Sequence, residues 1–196
     1  APFVYAGDVG LPGADPALVQ LCYSSADGGN SLDPAKVAGK IVLCDRGVTA
    51  RVNKSLAVQE AGGIGMVLAN VSSGTLNAEV HSVPTVHVSH TLRAGLLAYA
   101  QSPGATAQIG VSYFAPVVAP TTASFSSRGP SLAANGDVLK PDLIAPGQDI
   151  LAAVAPPGNG GESFASYQGT SVSSPHVAGR GALMREKQPT ESPRRI

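Results

Sequence analysis

Apolar residues in this chain come in short runs set between Gly and Pro punctuation. Lys40-Ile41-Val42-Leu43-Cys44 has the length and character of a strand, and Asp45-Arg46-Gly47 turns the chain after it. Ala50 to Ala61 predicts a helix with Val52, Leu56 and Ala61 near one face, and Gly62-Gly63 closes it. Ile64 to Ala69 is a second buried strand, so residues 40–69 predict a βαβ unit. Val83 to Ser89 predicts a further strand. Thr91 to Ala100 carries Leu92, Leu96 and Ala100 at helical spacing, and Ser102-Pro103-Gly104 stops that helix. Ala105 to Phe114 alternates as a strand does. Residues 1–39 read as loop-rich, with Gly10, Pro12, Gly13, Asp27-Gly28-Gly29 and Asp33-Pro34 as turn markers.

The pattern changes after Tyr113. Ala115 to Pro120 holds two prolines and reads as a connector. Ser124 to Pro130 is turn-rich, Lys140 to Gly147 predicts a strand closed by Pro-Gly, and Asp149 to Val154 is another apolar run. Asn159-Gly160-Gly161 is a Gly-rich loop. A helix is expected from Ser171, or just after it, to about Lys187. The reading divides the chain into residues 1–114, a connector at 115–120 and a second unit at 121–196. There is no internal repeat.

Composition narrows the function classes. Hydrophobic residues make up 43% of 196, which permits a real core, while charged residues are only 13% and the formal net charge is zero. Neither a nucleic-acid partner nor an acidic substrate nor a membrane surface is indicated by that balance. No apolar run reaches bilayer length. The 23 Gly and 16 Pro predict many tight turns and short elements. The start, Ala1-Pro2-Phe3-Val4-Tyr5, reads as the inside of a longer precursor. Cys22 and Cys44 are too few for a disulfide scaffold or a structural zinc site. They are either two buried thiols or one disulfide closing a loop of about twenty residues. Asn53-Lys54-Ser55 and Asn70-Val71-Ser72 are glycosylation sequons if the source is eukaryotic.

The chemistry is carried by Gly169-Thr170-Ser171-Val172-Ser173-Ser174-Pro175-His176-Val177-Ala178-Gly179. A Ser hydroxyl is a weak nucleophile until a base takes its proton, and its attack creates an oxyanion that needs donors. A helix starting at Ser171 leaves its first N–H groups unpaired and its positive dipole end facing the reaction. Pro175 falls in about the first turn, where its missing N–H costs little. Small-residue helix starts are common, so Gly-Thr-Ser alone would indicate a cap. The undecapeptide as a whole resembles the nucleophile motif of subtilisin-like serine proteases, with Val172 where Met is usual.

Further segments carry the same resemblance. Phe125-Ser126-Ser127-Arg128-Gly129-Pro130 and Leu139 to Leu151 are similar to subtilase segments that precede the nucleophile helix. In them Asp142 is implied to be structural or close to the pocket, not the triad acid. Gly39 to Gly47 and Ala61 to Met66 look like the protease-associated domain inserted into large subtilases, particularly plant-type ones. The resemblance covers about residues 1–179. It implies a mixed α/β fold: a β-rich protease-associated domain with flanking helices, then an incomplete C-terminal part of a subtilisin-like parallel-sheet domain. It further implies a secreted serine endopeptidase that hydrolyses peptide bonds through an acyl-enzyme on Ser171. A secreted setting favours the disulfide over free thiols.

Two further features of that family matter. Its acid lies in Asp-Thr/Ser-Gly and its base in His-Gly-Thr-His, and neither string occurs in this sequence. The triad Asp and His and the oxyanion Asn are therefore expected outside the chain, and the isolated piece is expected to be inactive. Arg180 and Gly181 interrupt the run of small and aliphatic residues that continues the family's helix, and Glu191 stands where an aromatic is usual. The implied partners are a protein or peptide substrate, the remainder of the catalytic domain, and a second copy bound through the protease-associated domain. A non-catalytic interaction module, acting in substrate access or dimerisation, is the alternative. No cofactor and no metal are implied. His81, His87 and His90 lack a supporting carboxylate or Cys at ligand spacing and read as ordinary histidines. His176 is implied to be a buried structural residue, pointing away from Ser171. Gly-Xaa-Ser-Xaa-Gly, P-loop and dinucleotide fingerprints are absent from supporting contexts.

Overall fold

The computed structural model describes residues 1–112, 120–156, 161–193 and 195. The chain forms two compact units, Ala1–Pro116 and Val117–Ile196. Residues 113–119, 157–160, 194 and 196 lie outside the described residues. They include most of the expected connector, the end of the expected strand Ala105–Phe114, and Asn159-Gly160.

The first unit is built on a four-stranded parallel sheet in the order β1-β2-β3-β4: Phe3–Tyr5, Ile41–Asp45, Gly65–Ala69 and Thr85–Val88. Parallel neighbours need a crossover, and helix α3 (Arg51–Glu60) supplies it between β2 and β3. The register sets Ile41 beside Gly65 and Asp45 beside Ala69. Alternate side chains of one strand enter opposite faces. Val42, Cys44, Met66 and Leu68 pack with Ala57, Val58 and Ala61 on one face. Phe3, Tyr5, Ile41 and Leu43 pack with Ala100 and the half-buried Leu96 and Leu97 of α4 (His90–Ala100) on the other. Helices on both faces explain why β2 is apolar from Ile41 to Cys44.

Residues 1–39 are more ordered than their turn markers suggest. They hold β1 and two short helices, α1 (Pro16–Gln20) and α2 (Pro34–Val37). Each short helix opens with an Asp-Pro pair. Asp15 and Asp33 accept the backbone N–H of Ala17 and Ala35 at 2.9 Å, and the proline takes the first helical position. The phase of α3 also departs from expectation. Its buried face is Lys54, Ser55, Ala57 and Val58, while Val52 and Leu56 are only half-buried. Gly62 follows with φ +75°, a left-handed conformation that suits the end of a helix. Over the described part of 105–112 there is no strand, only one antiparallel bridge from Thr106 to Pro2. A disulfide joins Cys22, in the loop after α1, to Cys44 of β2, with Cα atoms 5.8 Å apart.

The second unit holds an antiparallel pair, β5 (Ile150–Ala153) with β6 (Phe164–Tyr167), and the long helix α5 (Thr170–Lys187). Among its described residues this unit holds that antiparallel pair as its sheet, and the expected strand Lys140–Gly147 does not form. Pro141 and Pro146 have no N–H to give to a ladder, which is the physical reason for that correction. No described residue of this unit is buried, and Leu132, Leu139 and Leu151 are exposed. The whole is a mixed α/β fold.

Candidate active site

Ser171 lies in the first turn of α5, which begins one residue earlier than expected, at Thr170. The residue before the helix, Gly169, has φ +146°, a conformation L side chains rarely adopt. A Cβ there would come 3.1 Å from Ser171 Oγ. The Gly169 carbonyl accepts from the N–H of Val172 at 3.0 Å and of Ser173 at 3.3 Å. The N–H groups of Thr170 and Ser171 have no acceptor among the described residues, so two backbone donors stand free beside an exposed hydroxyl. Gly147 fixes the approach to this turn. Its carbonyl accepts from Gly169 N–H at 2.8 Å, and a Cβ on it would meet Gly169 O at 2.9 Å. Only a glycine lets the two backbones come that close.

Two backbone donors and an accessible hydroxyl are thus together; no base joins them among the described residues of this unit. Ser171 Oγ has no hydrogen-bond partner among the described residues. His176, in the same helix, is exposed rather than buried, because the described part of this unit provides nothing to cover it. Its Nδ1 lies 2.9 Å from the Val172 carbonyl, which turns the ring back along the helix. His81, His87 and His90 belong to the first unit. Pro175 is the sixth residue of α5, not in its first turn, so the Ser171 carbonyl loses its ordinary i+4 donor. Arg180 is exposed. Lys140 pairs with Asp142 on the surface. No group of three or more His, Cys, Asp or Glu able to hold a metal occurs among the described residues.

The first unit has a polar centre that sequence reasoning missed. Asp45 closes β2 at the carboxyl edge of the sheet and is buried. Arg93 of α4 grips it with Nε at 2.7 Å and Nη2 at 2.6 Å, and the Tyr5 hydroxyl of β1 donates to it at 2.9 Å. Burial, then the Asp45 charge, pushes the Tyr5 hydroxyl up to about 12. Lys54 is fully buried. Its Nζ donates to the Leu21 carbonyl at 2.5 Å and to Thr49 Oγ1 at 2.8 Å. Burial, then the Arg46 charge, pulls it down to about 8. Arg51 binds Glu79 through two nitrogens, at 2.5 and 2.8 Å.

A third node involves His87 of β4, which accepts Asn77 N–H at Nδ1 (3.1 Å) and bonds Asn70 Oδ1 through Nε2 (2.8 Å). His81 Nδ1 meets Ser55 Oγ at 3.0 Å. Burial lowers both histidines from 6.5 and keeps them neutral. These groups tie loops to the sheet and contain no free nucleophile. The signal for them was present in the sequence: an Asp ending an apolar run, and a Lys at the helical phase of Ala57, Val58 and Ala61.

Residues 5–96, the sheet with its polar centre, match the PA domain family. The chain is 40% identical to Subtilisin-like protease SBT1.6 of Arabidopsis thaliana over 98% of its length and 25% of the relative's. It is 39% identical to Subtilisin-like protease SBT1.7 and 40% identical to Subtilisin-like protease SBT1.3, each over 100% of its length and 26% of theirs, from the same plant. The chain spans about a quarter of the length of these relatives. It is a subtilase segment, homologous along its whole length to plant subtilisin-like proteases and carrying their PA domain.

Proposed function

We propose that the chain belongs to a secreted serine endopeptidase in which Ser171 is the nucleophile. The observation that carries this reading is the start of α5. An exposed hydroxyl sits beside two backbone N–H groups that have no acceptor among the described residues, in a segment aligned with subtilisin-like proteases. In the proposed reaction a His supplied by sequence outside the chain takes the Ser171 proton. The hydroxyl oxygen then attacks the peptide carbonyl, and the amine leaves with a proton from that His. Water hydrolyses the acyl-enzyme. The N–H of Ser171, with an Asn from outside the chain, holds the oxyanion. The substrate is a protein or peptide, and no cofactor takes part.

The domain reading is a proposal of the same kind: a protease-associated domain at 1–114, a connector at 115–120, and a partial catalytic domain at 121–196. A fluorophosphonate probe separates the parts of this reading. The full-length protease should label at Ser171, and Ser171→Ala should remove that label and lower kcat on the order of 10⁶-fold. The isolated chain should not label. Labelling of the Ser171→Ala protease would overturn the assignment of the nucleophile. Labelling of the isolated chain at the parent's rate would overturn the need for outside residues. A second reading, an interaction module for substrate access or dimerisation, draws on the first unit, which holds every buried residue described. A homodimer seen with residues 1–116 alone would favour it.

A further inference from the structure

The two sequons are not equivalent in the folded protein. N-glycosylation replaces one hydrogen of the Asn amide nitrogen with a bond to the sugar's anomeric carbon. The lipid pyrophosphate carrier leaves and the proton is lost to base. The product keeps one N–H, so a folded asparagine can carry a sugar only if its second N–H is free and space lies beyond it.

At Asn70 neither condition holds. It is 5% exposed. Its Nδ2 donates to the carbonyls of Gly74 and Thr75 at 3.3 and 3.2 Å, so two acceptors of one loop occupy it. Its Oδ1 is held by His87 at 2.8 Å. This network fixes which end of the amide is nitrogen and turns that nitrogen inward, under the loop it secures. Asn53 differs. It is half-exposed on the first turn of α3, and its Nδ2 makes one bond, to Asp27 Oδ1 at 2.7 Å. The other hydrogen has no partner among the described residues. A glycosylated Asn53 retains one N–H, enough for the single bond it makes to Asp27.

We infer that Asn53 is an N-glycan acceptor in the folded protein, taking a lipid-linked oligosaccharide as donor, and that the Asn70 sequon stays empty. The inference rests on the secretory reading, but its test does not. The full chain is expressed behind a secretion leader in a eukaryotic host, and the secreted, disulfide-bonded pool is mapped by mass spectrometry of its peptides. A glycan on Asn53 alone is the expected result. A glycan on Asn70 overturns the inference, and so does an unmodified Asn53. Asn53→Gln should remove the single endoglycosidase-sensitive mass shift, and Ser72→Ala, which destroys the second sequon and leaves Asn70 in place, should change nothing. Whether Ser171 acts is read separately with the fluorophosphonate probe, so failure of one conclusion leaves the other intact.

Discussion

Asp45 is the residue on which most of the first unit's polar order depends. It sits 3% exposed between Arg93 and Tyr5, so its removal strands a cation and a hydroxyl. Breaking a buried pair from one side costs about 3–5 kcal/mol. Arg93 is 27% exposed, which moves the expected loss to the lower end. Asp45→Ala should therefore lower the urea midpoint of the first unit by an amount equal to about 3 kcal/mol, at unchanged slope. The neighbouring histidines give a pH signature. His81 and His87 have folded pKa values below 6.5, so below that pH the unfolded chain binds more protons than the folded one. Stability then rises with pH through this window and is lost as pH falls from neutrality through 6.5. Urea unfolding at pH 7.5 and 5.5 should show the drop, and His81→Gln with His87→Gln should flatten it. These residues also mark where sequence reading stops. A buried Lys, Asp or His looks like a surface residue until the groups that satisfy it are found, and Leu21 lies 33 positions from Lys54 while Tyr5 and Arg93 lie 40 and 48 from Asp45.

Among elements, β2 was the easiest to read, because a strand covered on both faces runs apolar, here from Ile41 to Cys44. Helix α3 was readable in extent but not in phase. Its inward face includes Lys54 and Ser55, whose polar atoms are bonded inside, so counting apolar residues selects the wrong stripe. The short helices α1 and α2 were hidden by their own caps, since Asp-Pro marks a turn and a helix start alike. Cys22–Cys44 joins two of these elements across 22 positions. A loop of that size contributes about 3 kcal/mol in the chain-entropy picture. Replacing both cysteines by Ser should lower the first unit's stability by about that amount, read as a shift in its thermal or urea midpoint, and leave the strand register unchanged.

For the molecule as a whole, the two units differ in kind. Every buried apolar side chain described belongs to Ala1–Pro116. The first unit has its own core; the second has α5, one β pair and no interior among its described residues. Hydrogen exchange on the intact chain should show slow amides in β2, β3 and α3, with α5 exchanging orders of magnitude faster. Equal protection in α5 would contradict that division. The limit of the sequence is visible here too. The nucleophile motif was legible as a string, but a string does not reveal whether the rest of its sheet accompanies it.

Leu132, Leu139 and Leu151 are displayed to water on the second unit. Greasy surface of this sort is what holdase chaperones and degradative machinery bind first. Wherever that surface stays uncovered, it favours association over solubility.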